Sequence, residues 1–203
     1  MDNYGPKDNL LLAIKEEVIN CKKCELYKTR TLPVIGQGNH NAQIMFIGEA
    51  PGANEDKTGV PFCGRSGQVL NLLLASVAIR RDNVYIANIL KDRPPQNRQP
   101  AVDEILACTP YLLRQIDIIE PTVIGTLGNY ATHFILEQFG VAESQLGISQ
   151  LRGKKFAVKS KQTGKSYTVV PLYHPAVAVY NSHMFDDLKK DFQVIKEVLD
   201  THP

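Results

Sequence analysis

Three short runs, Ile44–Ile47, Val84–Ile89 and Thr122–Thr126, constrain this chain more than any other feature. A strand covered on both faces needs apolar side chains on both. It therefore reads as a nearly continuous apolar run rather than an alternating one. Helical stretches follow the three runs at Gln68–Ala78, Val102–Ile119 and Asn129–Phe139. Strands alternating with helices predict an α/β fold with a mostly parallel sheet covered on both faces. Basic strand-like segments at Lys154–Val158 and Ser166–Pro171 close the sheet region. Two further helices frame it. Asn9–Asn20 places Leu10, Ile14 and Val18 on one stripe, and the last helix places Phe185, Leu188, Phe192, Ile195 and Leu199 on one face.

The chain shows no internal repeat and no low-complexity linker, and its 203 residues suit a single domain over 1–203. Hydrophobic content of 43% with 22% charged residues matches a globular protein in water, with no stretch apolar enough to span a membrane. The segment Met1–Lys7 lacks a basic-then-apolar leader, so a cytoplasmic location is expected. A net charge of +2 excludes an indiscriminate basic surface and leaves room for a local basic patch, which is what a nucleic-acid contact requires. The cysteines are Cys21, Cys24, Cys63 and Cys108. In a reducing compartment, the Cys21-Lys22-Lys23-Cys24 pair points to metal or redox chemistry rather than to a disulfide.

Parallel sheets bind ligands beyond the C-terminal ends of their strands. Three polar groups fall at such ends: the Glu49–Glu55 loop, Asn88, and His174 within Tyr173-His174-Pro175-Ala176. The first loop runs from Gly48 to Asp56 and on through Pro61-Phe62-Cys63-Gly64-Arg65-Ser66-Gly67. It brings acids, glycines and one aromatic into a single turn, able to hold a flat ring, a carboxylate and backbone donors together.

Taken jointly, Gly48-Glu49-Ala50-Pro51-Gly52 with Glu55-Asp56, Pro61–Gly67, Asn88 ahead of Arg93-Pro94-Pro95-Gln96-Asn97-Arg98, and His174-Pro175-Ala176 resemble the uracil-DNA glycosylase superfamily. Within it they resemble the family-four, iron–sulfur type, over a region from Cys21 to the last helix. The resemblance implies a three-layer α/β/α fold with a central, mostly parallel four-stranded sheet. It implies a monomeric repair enzyme that flips uracil out of DNA and hydrolyses its N-glycosidic bond, leaving an abasic site. Phe62 would then stack on the flipped base, and the Asn88 amide would pair with the O4 and N3–H edge. Glu55 would fill the space beside C5 that a thymine methyl needs, and His174 would stabilise negative charge growing on O2. Backbone groups at Glu49 and Ala50 would add donors. Better-known relatives carry an aspartate where Ala50 stands, so a strong general base is not expected, and Glu49 is the candidate for positioning water. The DNA backbone would meet Arg65, Ser66, Arg93 and Arg98, with Arg152, Lys154 and Lys155 as further cations. Val179 and Tyr180 occupy the places of the family's leucine wedge and its following arginine.

The family's four cysteines hold a 4Fe-4S cluster. Cys21, Cys24 and Cys108 match three of them, while Asp92 stands in the third position. Three forms stay open: a four-iron cluster with Asp92 as oxygen ligand, a labile or 3Fe-4S form lacking that corner, or zinc. Two other functional readings also stand beside uracil excision. One is a sister glycosylase with a shifted base preference. The other is a DNA-binding or redox-sensing relative with weak catalysis.

Overall fold

The computed structural model describes residues 5–201, so both ends of the expected 1–203 domain lie outside the described residues. Six strands form one sheet: β1 (Gln37–Gly38), β2 (Ile44–Gly48), β3 (Val84–Asn88), β4 (Val123–Leu127), β5 (Phe156–Lys159) and β6 (Ser166–Leu172). Their order is β1-β3-β2-β4-β6-β5. The inner four, β3-β2-β4-β6, run parallel, and β1 and β5 pair antiparallel at the two edges. The four-stranded parallel core is thus as expected, extended by one antiparallel strand on each side. β1 has two exposed residues and no periodicity to read.

Every residue of β2, β3 and β4 is buried, which is why their sequences are continuous apolar runs. Successive side chains alternate across the sheet. Met45 and Ile47 face one core with Tyr85 and Ala87. Ile44 and Phe46 face the other with Val84 and Ile86. The first core is roofed by α1 (Pro6–Ile19), α4 (Val102–Ile119) and α5 (Asn129–Gln138). The second is roofed by α3 (Arg65–Ser76) and α8 (Phe185–Asp200). Three short helices sit in the connections: α2 (Ala53–Thr58), α6 (Ile148–Leu151) and α7 (Ala176–Tyr180).

Two boundaries differ from the sequence expectation in informative ways. The buried stripe of α1 is Leu11, Ile14 and Val18, whereas Leu10 is 53% exposed. Strict fourfold spacing drifts around a helix of 3.6 residues per turn, and a step of three followed by four keeps the stripe straight. Helix α3 begins at Arg65, three residues earlier than its apolar pattern, because Gly64 is its N-cap. Arg65 and Ser66 therefore lie in a helical first turn rather than in a loop.

The α1 stripe predicts a sharp contrast in stability. Leu11→Ala should cost about 2–5 kcal/mol and Leu10→Ala less than about 0.5 kcal/mol, both measured by urea denaturation.

Candidate active site at the ends of the parallel strands

Beyond the C-terminal ends of β2, β3 and β6 lies a pocket of about 150 Å³ lined by Ala50, Gly52, Glu55, Phe62, Ser66, Asn88 and His174. Residues distant in sequence and singled out for one task therefore converge. Glu49 follows the last residue of β2 and is half-buried, outside the pocket lining. Burial raises its carboxyl above the ordinary range.

Asn88 ends β3 directly beside Gly48 of β2. It is 2% exposed, and its Oδ1 has no hydrogen-bond partner among the described residues. An acceptor buried without a donor costs about 1–3 kcal/mol, and this oxygen is free to accept an N–H or O–H from a molecule that enters the pocket. The backbone behind it is firmly held. Lys91 Nζ, fully buried, donates to the Asn88 carbonyl at 2.9 Å and to Gln115 Oε1 at 2.7 Å. Gln115 Nε2 in turn donates to Tyr85 Oη and to the Ile35 carbonyl. Burial pushes the Lys91 ammonium down to about 8.

Phe62 forms one wall, with its ring centroid 5.6 Å from that of His174 and tilted by 33°. Its φ is +50°, a left-handed conformation rare for an aromatic residue. Gly48 makes room for both groups: a Cβ there would sit 2.4 Å from Asn88 Oδ1 and 2.8 Å from the Phe62 ring. Glu55, in the first turn of α2, accepts from Cys63 N and Gly64 N at 3.0 Å each through one oxygen, Oε1. Its carboxylate is therefore fixed in place at the pocket edge.

His174 accepts the Ala176 backbone N–H on Nδ1 at 3.1 Å. A neutral imidazole with Nδ1 as acceptor carries its proton on Nε2, which makes Nε2 a donor. Burial pushes this histidine down to about 4, so the neutral donor form prevails at physiological pH.

The expected DNA-facing residues divide into free and engaged groups. Arg65 is exposed, Val179 is half-buried, and Tyr180 is 83% exposed at the end of α7. Ser66 lines the strand-end pocket itself. Arg93 donates to Asn97 Oδ1 at 2.8 Å. Arg98 grips the buried Glu104 carboxylate with both terminal nitrogens, in addition to the Gln99 carbonyl. Arg152 is committed elsewhere: it pairs with the buried Asp191 at 2.9 Å and lies over the Tyr173 ring at 4.8 Å. It therefore braces the strand end that carries His174. Lys155 pairs with Glu197 on the α8 side.

Cys21, Cys24 and Cys108 pack into the same core. Burial raises the thiols of Cys24 and Cys108, Cys108 to about 11, and the charge of Asp92 pushes both the same way. Asp92 is buried, and both its oxygens accept from Arg30 Nη1, at 3.0 and 3.1 Å. The same guanidinium donates to the carbonyls of Val18 and Ile19 at the end of α1. Among the described residues, no set of three or more His, Cys, Asp or Glu side chains is already drawn to metal-binding spacing.

Sequence reasoning missed Gly48 as a space-maker, Ser66 as pocket lining, and Lys91. The Lys91 signal was a lysine directly after the apolar Ile89-Leu90.

Comparison with known proteins identifies the family of the chain. The family model of the uracil DNA glycosylase superfamily matches residues 35–200. A type-4 uracil-DNA glycosylase of Sulfurisphaera tokodaii is 49% identical over 93% of this chain and 84% of its own length. One from Saccharolobus solfataricus is 45% identical over 97% and 89%, and one from Archaeoglobus fulgidus 43% identical over 91% of each chain.

The crowding at Gly48 yields a test. Gly48→Ala should lower stability by about 1–3 kcal/mol in thermal unfolding, and a crystal structure of the variant should show the Phe62 ring displaced from Asn88.

Proposed function

The chain belongs to the uracil-DNA glycosylase superfamily, in its type-4 branch, and we propose that the Phe62–Asn88–His174 pocket is where it excises uracil from DNA. The observation that carries this assignment is the buried, partnerless Oδ1 of Asn88, beside an aromatic wall and a neutral histidine donor.

A base inside a duplex must first flip into the pocket. The uracil ring stacks on Phe62, its N3–H donates to Asn88 Oδ1, and the Asn88 amide donates to O4. Cytosine presents an acceptor at N3 and an amine at C4, so both contacts fail. The Glu55 carboxylate, pinned by two backbone N–H groups, stands where a thymine methyl would enter. As the C1′–N1 bond breaks, its electron pair leaves with the base and charge grows on O2. His174 Nε2–H donates to that oxygen, electrostatic stabilisation that develops with the transition state. The sugar gains oxocarbenium character and adds water at C1′. Ala50 offers no base, and positioning of that water falls to Glu49, whose raised pKa suits it to accept the released proton. Arg65, Ser66, Arg93 and Arg98 meet the phosphates, Val179 fills the vacated stack, and Tyr180 stacks on the orphaned base. We take the enzyme to be a single-domain monomer of the cytoplasm. Among the described residues no helix is long and apolar enough to cross a membrane.

Cys21, Cys24 and Cys108 would supply three corners of a 4Fe-4S cluster: the Cys21–Cys24 turn and α4 bring the thiols within electrostatic reach of one another. Asp92 fits the fourth only by releasing Arg30. An oxygen ligand held by a guanidinium binds a soft iron weakly, so that corner is labile. A bound cluster would tie the end of α1 to the Arg93–Arg98 loop, a structural role.

Three outcomes check these assignments. An oligonucleotide with one uracil should be cut by alkali after incubation with the enzyme, and Asn88→Asp should lose about 10–100-fold in kcat/KM while gaining cytosine excision. The log kcat/KM profile should show no histidine break near pH 6.5, because His174 protonates only around pH 4 and its neutral form is the working donor. A break near 6.5 that disappears in His174→Asn would overturn that role. Anaerobically purified protein should carry iron that is lost in air, and Asp92→Cys should slow the loss. Iron in neither variant would exclude the cluster.

A further inference from the structure

Phe62 holds a conformation it would not adopt alone, and the two peptide planes that define it are each bound to a charged side chain. Its φ is set by the plane of the Pro61–Phe62 peptide, whose carbonyl oxygen accepts from Arg81 Nη2 at 2.7 Å. Its ψ is set by the plane of the Phe62–Cys63 peptide, whose N–H donates to Glu55 Oε1 at 3.0 Å. Both bonds are charge-assisted and thus stronger than neutral ones. Arg81 is itself oriented, since its other terminal nitrogen donates to Asn71 Oδ1 of α3 at 2.9 Å. It precedes β3 by three residues and does not line the base pocket. Gly67 completes the arrangement, because a Cβ there would lie 1.7 Å from the Phe62 carbonyl oxygen.

We propose that Arg81 is a positioning residue for base recognition: with Glu55 it locks Phe62 in the left-handed conformation that presents its ring to the flipped base. The proposal rests on the reading of Phe62 as the stacking platform. Without the Pro61 tether, the peptide plane rotates toward negative φ, where aromatic residues are at ease, and the ring swings from its place opposite His174. Arg81 acts on the base only through that ring.

The test is a double-mutant cycle on the whole enzyme with a single-uracil oligonucleotide. Arg81→Met keeps the aliphatic stem and removes the donors. It should lower kcat/KM by about 10–100-fold, the worth of a lost charged hydrogen bond. It should also weaken inhibition by free uracil by a similar factor, a readout that a purely structural role would leave unmoved in the folded fraction. In a Phe62→Ala background the same change should cost less than about twofold, since the group it positions is gone. Equal losses in both backgrounds, or unchanged uracil inhibition, would overturn the proposal. Should Arg81→Met fail to fold, Arg81→Lys decides by the same cycle, because it keeps the charge and loses the planar fork. The underlying assignment fails separately, if the unmodified enzyme releases no uracil or Phe62→Ala is as active as the parent.

Discussion

The parallel register that sets Gly48 of β2 against Asn88 of β3 is the constraint on which the rest of the molecule depends. A slip of one residue would turn Asn88 to the opposite face of the sheet. In the observed register the amide meets Phe62 across a glycine that leaves just enough room. The pairing continues past the strands, with Ile89 N donating to the Gly48 carbonyl and Leu90 N to the Glu49 carbonyl. That continuation carries the chain inward, so Lys91 is buried beneath Asn88 and its backbone N–H reaches Cys108 Sγ. One hydrogen-bond ladder thereby positions Asn88, the buried Lys91 and the approach to the cysteine group.

The electrostatics of the pocket suit a departing anion better than an attacking nucleophile. His174 is neutral yet donates, because its Nδ1 is taken by a backbone N–H and its burial opposes protonation. Glu55 is spent on two backbone donors rather than aimed at water. Ala50 contributes only volume, and Glu49 lies just outside. Low dielectric makes such a fixed dipole act far more strongly on a nearby charge than it would in water, and the dipole needs no rearrangement when charge appears.

The architecture was largely legible in the sequence because burial on both faces leaves an unmistakable mark. β2, β3 and β4 were each readable as apolar runs, and α4 was delimited at Val102–Ile119. Asn88, His174 and the Glu49–Glu55 loop were legible as polar groups at the ends of apolar strands, whereas Ala50, Glu55 and Phe62 were singled out individually only through the family resemblance. What stayed hidden depends on tertiary reach. Nothing local says that Arg81 bonds a carbonyl twenty residues earlier, that Arg152 is drawn to the buried Asp191, or that Arg98, though exposed, is bonded to Glu104. Cations read alike in sequence, and only the fold decides which remain free. The placement of Leu11 over Leu10 was lost for a different reason, a phase error of one residue in a short helix.

The aspartate among the cysteines changes what a cluster is needed for. Helix α1 is secured to the domain without one. Lys7 Nζ donates to the Ile119 carbonyl at one end of α1, Glu17 pairs with Arg114, and Arg30 caps the Val18 and Ile19 carbonyls at the other. Leu11, Ile14 and Val18 add the apolar seam against α4. Arg30 then reaches from that helix end to Asp92, making through an ion pair a connection that a shared metal centre makes through thiolates. A buried pair of this kind is costly to break from one side, because the remaining charge is left unpaired. Asp92 thus gives the loop ahead of Arg93 an anchor that iron does not have to provide. A cluster at this site would add to these ties on the loop ahead of Arg93 rather than be the sole hold on α1.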